Sequence, residues 1–195
     1  SVPGVEIDRR RIITSDEAIA LREVPKSMII LGSGAVGVEF ASIFRRFGSQ
    51  VTVIELLPRI VPAEDEAISA ELQKSFRKQG ITIHTGTRVT KATAGAAGVE
   101  IEAQLPDGTV EKMSADYLLI ATGRGPVPQG LGVEGLGLNT DRGYIADDNL
   151  FRTGVPGFSA VGDVISFGAG SAPHPQLAHV SSAEGIITAE RIAGH

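Results

Sequence analysis

The chain has 195 residues and no cysteine, with 18 Lys and Arg against 23 Asp and Glu for a net charge of −5. That length suits one domain of ordinary size, or one domain with part of another. The composition excludes a disulfide framework, a Cys-ligated metal and a cysteine nucleophile within these residues, and the acidic balance argues against nucleic acid or an anionic membrane as the main partner.

The N-terminus, Ser1 to Glu6, has neither a signal-peptide pattern nor an initiator Met and reads as a chain entered partway. Residues 1–26 are polar and turn-rich; the run Arg9-Arg10-Arg11 is a solvated segment, and a short helical pattern spans Ser15 to Glu23. Ser27–Leu31 is a short buried strand. Glycines follow at 32, 34 and 37, and then Val36, Phe40, Ile43, Phe44 and Phe47 fall on one face of a helix that Gly48 stops. Val51–Ile54 is a second strand, ending at Glu55. A helix is expected from about Asp65 to Gln79, with acids at its start, Arg77 and Lys78 at its end, and Ile68, Leu72 and Phe76 as its buried stripe. Ile81–His84 is a third strand.

The pattern then changes to a meander. Arg88–Thr93, Val99–Leu105 and Thr109–Ser114 read as three strands, the middle one alternating apolar and polar residues as a half-buried antiparallel strand does. Pro106-Asp107-Gly108 is a hairpin turn, in which proline presets φ and glycine accepts a positive one. Tyr117–Ala121 is a continuous apolar run with the character of a central parallel strand. Residues 125–157 are rich in Gly and Pro, Phe158–Val161 is one more strand, and a helix from about Gln176 to Ile192 closes the chain. No apolar run approaches the ~18 residues of a membrane span. The 24 glycines exceed an average share of about 7% and point to turns and close backbone approaches.

Gly32-Ser33-Gly34-Ala35-Val36-Gly37 is a GxGxxG with its whole context present: a strand before it, an amphipathic helix after it, and a second strand closing a unit of 29 residues at Glu55. Gly32 permits the tight strand-to-helix turn, Gly34 lets backbone approach a pyrophosphate, and Gly37 lets the helix pack on the strand. The N–H groups opening the helix then face the phosphates. Glu55, 21 residues after Gly34, would accept hydrogen bonds from ribose hydroxyls and repel a 2′-phosphate; Leu56 and Leu57 follow it rather than an arginine, which favours NAD over NADP. A glycine cluster that only packs the helix is the bland alternative.

Taken together these segments resemble the pyridine-nucleotide disulfide oxidoreductases, and most closely their dihydrolipoyl dehydrogenase branch. The resemblance runs through Val2–Asp8, Val24–Ser27, the glycine loop, Gly37–Ser42, Phe47–Val53, Ala121-Thr122-Gly123-Arg124, Val155-Pro156-Gly157, Gly162-Asp163, Gln176–His179 and Glu184-Gly185. It implies an α/β fold: a Rossmann-like three-layer NAD-binding domain with an inserted antiparallel β-meander, plus a partial FAD-domain segment. Residues 1–23 would be a linker, 24–145 the NAD-binding domain and 146–195 the returning segment of the FAD domain. Val89 and Gly123 match positions that line the NAD site, and Glu39 matches a glutamate near the nicotinamide. Asp163 matches an aspartate that holds the ribityl chain of FAD, and Gln176, Leu177, Ala178 and His179 match a loop and helix start at the flavin. His84 and His174 have no assigned role, and no metal is implied.

After Thr122-Gly123-Arg124 the family usually continues Arg-Pro-Asn, whereas this chain has Gly125-Pro126-Val127. The family's own FAD glycine loop, redox cysteine pair and catalytic His–Glu pair have no counterpart in these residues. The resemblance thus implies the NAD-binding part of a flavoprotein that oxidises dihydrolipoamide, with an incomplete FAD site and no lipoamide activity in these residues alone. It further implies a homodimeric parent that joins 2-oxo-acid dehydrogenase complexes in the cytoplasm, or in the mitochondrial matrix of a eukaryote. Two alternatives stay open: a related NADH-dependent flavoprotein reductase of mercuric ion or another disulfide, and a stand-alone NAD-binding module without enzymatic activity.

Overall fold

The computed structural model describes residues 2–127, 130, 132–166 and 175–195. Its contacts divide the chain into two compact units, Ser1–Gly123 and Arg124–His195.

The first unit opens with β1 (Ile12–Ile13) and the single-turn helix α1 (Ser15–Ala18). A capping box starts α1: the hydroxyl and the N–H of Thr14, the N-cap, both donate to Glu17 Oε2, at 2.6 and 2.9 Å, and the helix ends at Ala18 rather than Glu23. β2 (Ser27–Leu31), α2 (Ala35–Arg46), β3 (Gln50–Ile54), α3 (Glu66–Lys78) and β4 (Thr82–His84) follow. An antiparallel meander of β5 (Arg88–Gly95), β6 (Gly98–Gln104) and β7 (Val110–Ala115) interrupts the parallel strands, and β8 (Tyr117–Ile120) returns to them. All five strands of the main sheet are parallel, in the order β1-β8-β2-β3-β4.

The sheet forms because its strands are buried on both faces. Ile29, Ile30 and Leu31 of β2, Val53 and Ile54 of β3, and Leu118 and Leu119 of β8 are all buried. Side chains of this size contribute about 1.5–3 kcal/mol each when fully buried. One face carries α2 and α3, with Phe44, Phe76, Ile60 and Val61 against Met28, Ile30 and Val53. On the other, the meander sets Val89, Val99, Ile101 and Ala103 against Ile12, Ile29, Leu31 and Ile54. This is the α/β architecture with an inserted antiparallel meander that the sequence implies. Asp116 ties the end of the meander to the start of β2: its Oδ2 accepts the N–H groups of Lys26 and Ser27 at 2.7 and 3.1 Å.

Other expectations change in this unit. β1 was not foreseen; it adds an outer strand through Ile12 and Ile13, in register with Leu118 and Leu119. In α3 the buried residues are Ser69 and Phe76, while Ile68 is 60% exposed. Ser69 turns inward because its hydroxyl donates to the carbonyl of buried Ile60 at 2.7 Å. In α2 the buried line is Gly37, Ala41 and Phe44, with Ile43 and Phe47 exposed; small residues face the sheet where the helix lies closest to it.

The second unit holds β9 (Thr140–Asp141), β10 (Tyr144–Ala146) and β11 (Ile165–Ser166) in a small mixed sheet, and α4 (Ala178–Ala193). Phe158–Val161 forms no strand; a single antiparallel bridge joins Arg152 to Ser159. Among the described residues, no helix is long and apolar enough to cross a membrane.

Candidate functional site

The strand order places a topological switch at β2. The chain steps from β2 to β3 and β4 on one side, then returns through β8 on the other. In open parallel sheets, ligands bind beyond the carboxyl ends of the strands at such a point. The Gly32–Gly37 loop leaves β2 there, Glu55 stands at the end of β3, and Gly123 follows β8.

The three glycines of the loop meet three different constraints. Gly32 has φ +101°, and a Cβ on it would lie 2.4 Å from the carbonyl oxygen of Ala121. A Cβ on Gly37 would lie 2.1 Å from the carbonyl oxygen of Gly32. Both positions exclude any side chain. Gly34 has φ −67° and a Cβ on it would meet nothing within 4 Å. Its glycine is therefore not required by the chain's own packing; the space it leaves is the cradle that a phosphate approaching backbone would use. Gly34 is also the N-cap of α2 and supplies no capping side chain, and a helix start of this kind is one where an external anion could meet the first N–H groups and the positive dipole end.

Glu55 is buried (7% exposed). Its Oε2 accepts the N–H of Ser33 at 2.9 Å and the hydroxyl of Ser33 at 2.6 Å, and its Oε1 accepts the N–H of Leu57 at 2.8 Å. Its backbone is pinned as well: its N–H donates to the carbonyl of His84 at 2.8 Å and its carbonyl accepts the N–H of Thr87 at 2.9 Å. The loop after Glu55 folds back on the glycine loop through the N–H of Val61, which donates to the carbonyl of Ser33 at 3.0 Å. A carboxylate is thus fixed beside the glycine loop.

The remaining candidates in this unit are more dispersed. Ala35 and Glu39 are exposed on α2, and Val36 is half-buried. Gly123 has φ +121° and open space around its Cβ position. The side chain of Val89 lies in the core against the sheet, so any contribution to a ligand would come from its backbone. His84 is half-buried at the end of β4.

In the second unit, Asp163 sits in a 3-10 turn, Gly162–Val164. Its Oδ2 lies 3.4 Å from the Arg124 guanidinium, and its carbonyl accepts Gln176 Nε2 at 3.2 Å. Leu177 is the N-cap of α4, and Leu177, Ala178 and His179 are exposed there. His174 lies outside the described residues. The sequence reading gave no role to Glu184, which is 5% exposed and accepts the N–H of Gly162 at 2.7 Å, holding the Asp163 turn to α4. The only signal for it was its place in the Glu184-Gly185 pair. Among the described residues, no group of three or more His, Asp or Glu could hold a metal ion.

Residues 1–185 match the family model described as pyridine nucleotide-disulphide oxidoreductase. The chain is 43% identical over 193 residues to dihydrolipoyl dehydrogenase of Chlorobaculum tepidum, covering 99% of this chain and 40% of that protein. It is 44% identical over 194 residues to dihydrolipoyl dehydrogenase 3 of Pseudomonas putida, again 99% and 40%. Among solved structures it is similar to LpdA of Mycobacterium tuberculosis, with 30% identity, TM-score 0.84, and 100% of this chain and 40% of that one covered. It is also similar to the HOCl-induced flavoprotein disulfide reductase RclA of Escherichia coli in its Cu(II) complex, with 30% identity, TM-score 0.81, and 100% and 42% covered. The chain spans about two fifths of the length of the curated relatives it matches. The chain belongs to the pyridine nucleotide-disulphide oxidoreductase family.

Proposed function

We propose that residues 24–145 bind NAD(H) and that residues 146–195 contribute to an FAD domain, both serving a dihydrolipoyl dehydrogenase. The observation that carries this reading is the pairing of an open Gly34 with a buried carboxylate, Glu55, at the switch point of the sheet. In such an enzyme a substrate dithiol is oxidised and its electrons leave through the flavin as hydride to the nicotinamide; that redox chemistry belongs to the cofactors.

The chain's own residues bind and orient. The N–H groups opening α2 take the pyrophosphate, Glu55 accepts a ribose hydroxyl and repels a 2′-phosphate, and Val89, through its backbone, and Gly123 line the NAD site. Glu39 stands toward the nicotinamide. Asp163 and the Gln176–His179 segment serve the flavin. The whole protein would be a homodimer working in 2-oxo-acid dehydrogenase complexes of the bacterial cytoplasm or the mitochondrial matrix. The 43% identity to a dihydrolipoyl dehydrogenase, against 30% to RclA, favours this substrate over that of another disulfide reductase.

The test is a calorimetric titration of the 195-residue chain with NADH. Saturable binding is expected, and no lipoamide turnover, since these residues contain no thiol. Absence of NADH binding would contradict the reading.

A further inference from the structure

Ser33 is fully buried, at 0% exposure, so its side chain is turned away from any ligand on the outer side of the glycine loop. The hydroxyl donates instead to Glu55 Oε2 at 2.6 Å, beside the Ser33 N–H at 2.9 Å on the same oxygen. An O–H···O⁻ bond of that length is charge-assisted and among the stronger ones a protein makes. An ionised carboxylate offers about four lone-pair positions. Ser33 fills the two on Oε2, and Leu57 fills one on Oε1. Among the described residues no further donor reaches Glu55, so a single acceptor position remains, on Oε1.

We propose that Ser33 is a positioning residue that sets the choice between NAD(H) and NADP(H), acting through Glu55 rather than on the nucleotide. This rests on the reading of Glu55 as the acid that meets the ribose. A glutamate held only by backbone donors can pivot about its side-chain torsions and make room for a 2′-phosphate. Held also by the Ser33 hydroxyl, the carboxylate stays in place, with Oε1 open to one ribose hydroxyl and its charge set against a phosphate at that position. Discrimination is a difference of two affinities, and this arrangement raises it mainly by penalising the wrong ligand. The backbone bonds of Ser33, its N–H to Glu55 and its carbonyl from Val61, do not depend on the hydroxyl, so the fold survives its removal.

The test measures NADH and NADPH affinities by calorimetry for the 195-residue chain, with Ser33→Ala, Ser33→Thr, Glu55→Gln and the Ser33→Ala/Glu55→Gln double variant. Ser33→Ala should lower the preference for NADH over NADPH about tenfold, the order expected for one hydrogen bond to a charged group. Ser33→Thr keeps a hydroxyl and should restore the preference. Glu55→Gln should remove it, and adding Ser33→Ala to that variant should change nothing further, as for two groups acting through one interaction. A purely structural role would lower both affinities together and leave their ratio intact; that result, or an equal further loss in the Glu55→Gln background, overturns the proposal. Should the alanine variant fail to fold by circular dichroism, Ser33→Gly deletes the same hydroxyl with a smaller side chain. If Glu55→Gln removes the preference and Ser33→Ala does not, only the role of Ser33 is refuted. If Glu55→Gln leaves the preference intact, or the wild-type chain binds no NADH, the reading of Glu55 falls and the role of Ser33 with it.

Discussion

A Cβ placed on Gly37 would stand 2.1 Å from the carbonyl oxygen of Gly32, while one placed on Gly34, in the same loop, would meet nothing within 4 Å. The two glycines therefore answer to different demands, and their alanine variants should separate. Gly37→Ala forces backbone against backbone and should destabilise the chain by about 1–3 kcal/mol, the usual cost of overpacking a tight site. Gly34→Ala should leave the melting temperature unchanged, its φ of −67° being open to alanine, yet weaken NADH binding about tenfold or more by closing the approach to the backbone. Thermal denaturation and calorimetry on both variants check this; a Gly34→Ala variant that melts early and binds normally would reverse the assignment.

Glu184 and Gly162 form the corresponding support in the second unit. The Gly162 N–H donates to Glu184 Oε2 at 2.7 Å in a buried setting. Glu184→Ala leaves that N–H without its acceptor, and stranding a buried donor costs about 1–3 kcal/mol. Amide hydrogen exchange at Gly162 and Asp163 should accelerate in the variant while exchange in the first unit stays as it was. Unchanged protection at Gly162 would show that the turn does not depend on this acid.

Most of the site's frame was legible in the sequence because its signals are local. The run Ser27–Leu31, the glycine spacing after it and the acid at the end of the next strand lie within 29 residues, and the strand was expected with the bounds observed. What escaped depends on distant partners. β1 is two residues long, and its pairing partners, Leu118 and Leu119, lie more than a hundred residues away. Ile68, expected in the buried stripe, is exposed and Ser69 is buried because a buried carbonyl at Ile60 needs a donor, a demand that hydrophobic periodicity does not register. Phe158–Val161 has the composition of a strand, yet it is joined to its neighbour by a single bridge. The Ser33–Glu55 bonds were likewise beyond reach, since the spacing brings the two residues to one place without telling which way a serine hydroxyl points.

Asp8 gives the N-terminal segment an acid-sensitive anchor. Its Oδ1 accepts the N–H groups of Arg10, Arg11 and Ile12, each at 2.8 Å. Partial burial pushes the carboxyl up, but these backbone donors outweigh it and hold it below its ordinary value of 3.8. The folded state thus binds this proton less readily than the unfolded chain. The stabilisation is complete above the unfolded value and is lost as pH falls through the lower folded one. Asp8→Asn should therefore unfold at lower denaturant than wild type near pH 7, and the gap should shrink as pH falls below the ordinary carboxyl value of 3.8. Urea titrations at several pH values check the sign; a gap that widens in acid would contradict it.

The central claim is that Glu55 and the glycine loop form a site for NAD(H). The most direct measurement is the affinity of the 195-residue chain and of its Glu55→Ala variant for NADH and NADPH by titration calorimetry. The wild-type chain should bind NADH at least about tenfold more tightly than NADPH, as a fixed carboxylate opposed to a 2′-phosphate requires, and Glu55→Ala should bring the two affinities together. Equal affinities in the wild-type chain, or a preference for NADPH, would contradict the account.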